Sequence, residues 1–187
     1  NDGGETDPDI FSALYYAVKT LKGDDFNTAK AHFDNVRSII AAKNSSFLYS
    51  AGSDGQIFKW TYKDEKFNSE LIDLEEGKVH KSMSISDDSR FLVVGGNYSY
   101  LKLIHLNEKN KSEKIKIPTG GIQYLCFTPG GDEIIFLASE NRILKWNSSE
   151  LKEIAQSNVK INTIDMDPQG KYLVVGQAEG KVLLIDL

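Results

Sequence analysis

Few residues of this 187-residue chain have the type to do chemistry, and they are thinly spread. His32, Ser50 and Asp54 are the three types of an acyl-transfer triad, in which a base takes the proton of a nucleophilic hydroxyl and a carboxylate holds the base. His80 and His105 share no ligand spacing with His32 or with each other, so no metal site is expected. Cys126, the single cysteine, stands between Leu125 and Phe127 and reads as a small buried packing residue. One cysteine forms no internal disulfide, which points towards a reducing, cytoplasmic compartment. Asp165, Asp167 and Asp186 are either a carboxylate pair for acid–base work or scattered surface carboxylates. Gly95-Gly96 and Gly120-Gly121 precede no helical pattern, so they read as turn or bulge glycines and not as a phosphate-cradling loop. Asn-X-Ser matches at Asn44, Asn97, Asn110 and Asn147 are what a turn-rich chain full of Asn and Ser generates by chance. No cofactor is expected.

The elements that must position these groups are repeats. In residues 31–60, Val36, Ile39 and Ala41 form a short apolar run, residues 47–50 resume strand character, Ser53-Asp54-Gly55 makes a turn, and Ile57-Phe58-Lys59-Trp60 follows as a third strand. Laying Phe47 over Phe91, Glu133 and Tyr172, at spacings of 44, 42 and 39 residues, brings the rest into line. Val36, His80, Ile122 and Ile161 then coincide, as do Ile39, Met83, Leu125 and Ile164, and so do Trp60, Ile104, Trp146 and Ile185. A period near forty with several strands per unit signals propeller blades; helical repeats would show a 3.6-residue periodicity instead.

Over residues 26–187 the pattern resembles the WD-repeat β-propeller family. Ala31-His32 stands where that family has Gly-His, and Trp60-Thr61 where it has Trp-Asp. Its Pro-Asp-Gly turn is matched by Pro129-Gly130-Gly131-Asp132, by Pro168-Gln169-Gly170 and, degenerately, by Asp87-Asp88-Ser89. The resemblance implies that His32, Ser50, Asp54 and Trp60 form a structural chain of hydrogen bonds, which makes them a scaffold and not a nucleophile with its base. Their inventory suits that: Trp only donates, Asp only accepts, and Ser and neutral His do both. The other units lack the histidine, and only Trp146 keeps the tryptophan, so their rigidity should rest on apolar packing.

The expected fold class is therefore all-β, four WD-like blades at about 25–62, 63–107, 108–147 and 148–187, preceded by a polar leader and one short amphipathic helix within residues 1–24. Asp7-Pro8 starts that helix, Ile10, Leu14 and Val18 give its apolar face, and Gly23 stops it. It either packs on the propeller's edge or belongs to an upstream domain. Residues 26–30 form an isolated strand that could complete the last blade, where a fourth strand is missing. A net charge of −5 argues against nucleic acid or an anionic membrane as partner, and the longest apolar runs, four or five residues, are too short to span a bilayer.

Four blades fall short of the seven usual in the family. A fragment of a longer propeller, two chains pairing into one ring, and an open stack are the outcomes left, and an unpaired half would expose apolar blade faces. In the family, the position after the first residue of each innermost strand opens on the face around the central channel where partners dock. Here it holds Arg37, Lys81, Gln123 and Asn162, with Tyr98 and Tyr124 as candidate aromatic anchors. The expected function is a non-catalytic scaffold binding a protein or peptide on that face. A hydrolase or lyase with its site at the channel mouth is the other class, and it would place Asp, Glu or His at those positions. Residues 7–40 are also similar to bacterial multidomain proteins in which a signalling region leads into WD repeats, which implies a bacterial cytoplasmic setting.

Overall fold

A computed structural model describes residues 30–43, 46–63, 66–109, 111–118 and 120–187. The expected leader and helix lie outside the described residues, as does the expected strand at 26–30 except for Lys30. The described chain forms four antiparallel sheets. The first holds β1 (Val36–Ala41), β2 (Phe47–Gly52), β3 (Gln56–Lys63) and β4 (Lys66–Leu74). The second holds β5 (His80–Ile85), β6 (Phe91–Gly96), β7 (Tyr100–His105) and β8 (Ser112–Lys116). The third holds β9 (Ile122–Phe127), β10 (Glu133–Ala138), β11 (Arg142–Asn147) and β12 (Leu151–Gln156). The fourth has three strands, β13 (Ile161–Met166), β14 (Tyr172–Gln177) and β15 (Val182–Asp186). Each of the first three sheets ends in a strand that lies past the sequence repeat, so sheet and repeat are offset by one strand.

Turn chemistry explains where the strands stop. Gly131, Gly170 and Ser89 donate backbone N–H bonds to Thr128, Asp167 and Ser86, closing the three Pro-Asp-Gly-type turns at 2.9, 2.9 and 2.8 Å. Gly55, in the β2–β3 turn, has φ +74°, and a Cβ there would lie 2.1 Å from the Glu75 carbonyl oxygen, so only glycine fits.

Side-chain alternation then builds the core between the sheets. On the middle strands, Leu92 and Val94 pack with Met83, Ile85 and Ile104 against Tyr49, Ala51 and Ile57 of the first blade. Val93, one residue out of phase, joins Leu101 against Ile134, Phe136 and Leu144 of the third. The third blade repeats the scheme, with Ile135, Leu137 and Ile143 set against Ile161, Ile164, Leu173 and Val175. Every blade thus has two faces of different composition. Innermost strands are also stitched together: the Ser38, Ser82 and Ser84 hydroxyls accept the amides of Met83, Leu125 and Phe127 at 3.2, 3.1 and 3.1 Å.

Among the described residues, both end faces of the stack carry exposed apolar side chains. Ile39 is 68% exposed, whereas its counterparts Met83, Leu125 and Ile164 are 5%, 7% and 9% exposed. Val182 is 71% exposed, whereas Ile57, Leu101 and Ile143 at the same repeat position are at 0%, 0% and 1%. Among the described residues no helix is long and apolar enough to cross a membrane.

Candidate functional site

His32, Ser50, Asp54 and Trp60 are brought together by the first blade. His32 precedes β1, Ser50 lies on β2, Asp54 in the following turn and Trp60 on β3. Asp54 only accepts, so His32 Nδ1 carries the hydrogen and donates to Asp54 Oδ1 and Oδ2, each at 3.0 Å. His32 Nε2 then accepts the Ser50 hydroxyl at 2.7 Å, and Ser50 Oγ accepts Trp60 Nε1–H, also at 2.7 Å. Burial alone would raise the Asp54 carboxyl, but the bond from His32 and the amides of Gln56 and Phe33 outweigh it and hold the group below its ordinary value.

Order and distances match a hydrolytic triad, but the surroundings do not. Ser50 is 3% exposed and its oxygen is engaged by the tryptophan. The hollow of about 400 Å³ that touches His32, Ser50 and Trp60 lies on the uncovered face with Ile39 and Leu48. The same position in the other blades holds Val94, Phe136 and Val175, packed against a neighbouring blade. The arrangement ties three strands and a turn together; it does not present a nucleophile.

Arg37, Lys81, Gln123 and Asn162 share a geometry that residue types alone do not disclose. Each is the extra residue of a β-bulge at the start of an innermost strand. Val36 and Ser38 pair with Gly52 and Ala51, passing over Arg37. His80 and Ser82 pass over Lys81, Ile122 and Tyr124 over Gln123, and Ile161 and Thr163 over Asn162. A bulged residue leaves the ladder and its side chain is re-aimed. All four are exposed, on the upper face where the innermost strands begin. Arg37 Nε donates to Ser53 Oγ at 2.8 Å, in the β2–β3 turn of that face.

The second blade corrects one expectation. Tyr98 is no surface anchor: it is 5% exposed, and its hydroxyl donates to His80 Nδ1 at 2.8 Å. His80, fully buried where other units have Val or Ile, donates Nε2–H to the Gly55 carbonyl of the first blade at 3.1 Å. Burial lowers its pKa, so the imidazole is neutral. Tyr124, by contrast, is 39% exposed.

Periodicity also missed a buried ionic cluster between the first two blades. Lys102 Nζ lies 2.5 Å from Asp73 and 3.5 Å from Glu75, and Glu75 also accepts from Lys114 and Tyr100. Burial pushes the Glu75 carboxyl up, but Lys114, Tyr100 and Lys102 overcome this and hold it at about 2. The signal was a lysine inside the apolar run Tyr100-Leu101-Lys102-Leu103-Ile104.

The remaining candidates have structural surroundings. His105 is held by Glu113 and Glu108 at the rim of the second blade. Burial, with Asp165 nearby, pushes the Cys126 thiol up to about 12. Asp167 spends its carboxylate on the amides of Gln169 and Tyr172 in its own turn. Among the described residues, no three of His, Cys, Asp and Glu come together as a metal-binding set.

A family model described as WD domain, G-beta repeat matches residues 23–61. The propeller domain of Doa1 superposes with a TM-score of 0.67 at 17% identity, covering 84% of this chain and 53% of that one. The fold is that of WD-repeat β-propeller blades, with residues 23–61 matching the repeat itself. Among curated WD-repeat relatives, it is similar to the serine-threonine kinase receptor-associated protein of Gallus gallus, at 25% identity over 82% of this chain and 43% of that protein. It is also similar to the WD repeat-containing protein AAC3 of Dictyostelium discoideum, at 27% identity over 89% of this chain and 34% of that protein. This WD-repeat chain therefore spans less than half the length of these relatives. Both are eukaryotic, which corrects the bacterial setting implied by residues 7–40.

Proposed function

We propose that the chain is a non-catalytic WD-repeat scaffold, and that a protein or peptide docks on its upper face at Arg37, Lys81, Gln123 and Asn162. One observation carries this reading: four blades spend a bulge at the same register position, and each bulge lifts a polar side chain into solvent. Four exposed polar residues at one register position of successive blades make a surface suited to contact. The hydrolase or lyase reading needs carboxylates or histidines at this mouth, and these positions hold none. The single, unreactive cysteine supports a cytoplasmic setting as part of the same proposal.

The test is quantitative affinity capture with the wild-type chain beside the fourfold variant R37A/K81A/Q123A/N162A. A lower-face variant, D87A, serves as control, because Asp87 joins Lys43 and the Gly130 amide on the opposite side. Partners should be lost from the fourfold variant and kept by the control. Capture that ignores the four substitutions would sink the proposal.

A further inference from the structure

We infer that the segment docked on the upper face is acidic: an extended peptide whose Asp or Glu side chains meet Arg37 and Lys81. The inference rests on the docking reading above and names its partner's chemistry. The four bulge positions carry two cations and two amides in a chain whose net charge is −5. Among the described residues, neither cation has a carboxylate partner, although many other bases do: Lys43 pairs with Asp87, Lys102 with Asp73, Arg142 with Glu153 and Lys145 with Glu133. Two carboxylates near Arg37 in the sequence, Asp34 and Asp54, are engaged elsewhere. Asp34 accepts from Asn35, and Asp54 from His32, Phe33 and Gln56.

The two bases also stand together. β1 and β5 are neighbouring innermost strands joined by the Met83 amide and the Ser38 hydroxyl, and Arg37 and Lys81 are the bulges of those two strands at one register position. The bond from Arg37 Nε to Ser53 fixes the guanidinium plane, leaving its terminal N–H groups for a carboxylate. Gln123 and Asn162 on the following blades each offer a donor and an acceptor, the pair an extended backbone needs, and Tyr124 adds an exposed ring. A polynucleotide is also anionic, but its dense charge meets a net negative protein, whereas a short acidic segment presents only the few charges that two bases can match.

The test pans a random twelve-residue peptide library against the immobilised 187-residue chain, then measures an enriched peptide by fluorescence anisotropy at low salt. Enrichment in Asp and Glu is expected. Binding should fall about 5- to 30-fold in R37E/K81E, and more salt should weaken it in the wild type. A peptide with its acids replaced by lysine should recover affinity for R37E/K81E, and this rescue separates lost contact from lost fold. If R37E/K81E melts early, R37Q/K81Q takes its place and should show roughly half the loss on a logarithmic scale. Neutral or basic peptides that still depend on Gln123 and Asn162 would overturn the acidic partner and leave the docking face standing. No enrichment, or peptides indifferent to all four positions, would overturn both readings. Equal competition by a twelve-residue oligothymidine would also overturn the acidic-peptide inference.

Discussion

His80 is a residue whose charge the fold disfavours. Its Nδ1 accepts the Tyr98 hydroxyl and its Nε2–H is given to Gly55, so a second proton would meet a donor in a fully buried site. Burial holds the folded pKa below 6.5, while a histidine in the unfolded chain titrates near about 6.5. Below that pH the unfolded chain binds a proton that the folded chain refuses. This contribution to stability is therefore complete above about pH 6.5 and falls as the pH drops below it, by at most about 1.4 kcal/mol per pH unit. Urea midpoints of wild type and His80→Val at pH 7.5, 6.5 and 5.5 check this: the wild type should lose more on acidification, and parallel pH profiles would refute it. Ser50 gives a second residue-scale expectation. Ser50→Ala leaves Trp60 Nε1–H and His32 Nε2 without their partner, which should cost about 1–3 kcal/mol by chemical denaturation.

Strands and sheets show how far the sequence could be read. Phe47, Phe91, Glu133 and Tyr172 each open the second strand of a sheet, and Val36, His80, Ile122 and Ile161 each open an innermost one, as the repeat register required. Apolar alternation carries that information because burial on a strand has period two. The hydrogen-bonded set of the first blade was legible from its residue types at family spacing. The bulges were not, since polarity at positions 37, 81, 123 and 162 says where a residue differs and not that the ladder skips it. Tyr98 was misread because its partner, His80, is itself the exception at its repeat position. The Lys102 cluster was missed because it joins strands of different sheets, Asp73 on β4 of the first and Lys102 on β7 of the second. Lys102→Met should therefore destabilise by about 2–3 kcal/mol, leaving Asp73 and Glu75 short of a counter-charge, as thermal melts would read. Gly96 is a sharper probe of sheet packing. A Cβ there would sit 1.9 Å from the Val79 carbonyl oxygen, so Gly96→Ala should cost about 3 kcal/mol or prevent folding. A Gly96→Ala variant as stable as wild type would show that the strand β5 approach is looser than described.

At the scale of the whole molecule, the exposed ends decide behaviour in solution. Ile39 and Phe67 on the first blade, and Val182 and Leu184 on the fourth, are apolar residues on faces that neighbouring blades cover elsewhere in the stack. The 187-residue chain should therefore scatter light as a species heavier than 20.9 kDa, and I39E/V182E should return it towards that mass. A wild type that stays monomeric at high concentration would show that these faces tolerate water. The two different faces of each blade have one more consequence. Because Leu92 and Val94 look backward and Val93 looks forward, a blade meets its predecessor with one surface and its successor with the other. Stacking therefore has a direction, and it is the direction of synthesis. As each new sheet leaves the ribosome, its docking surface is already presented by the one before it, so assembly can advance blade by blade in step with synthesis.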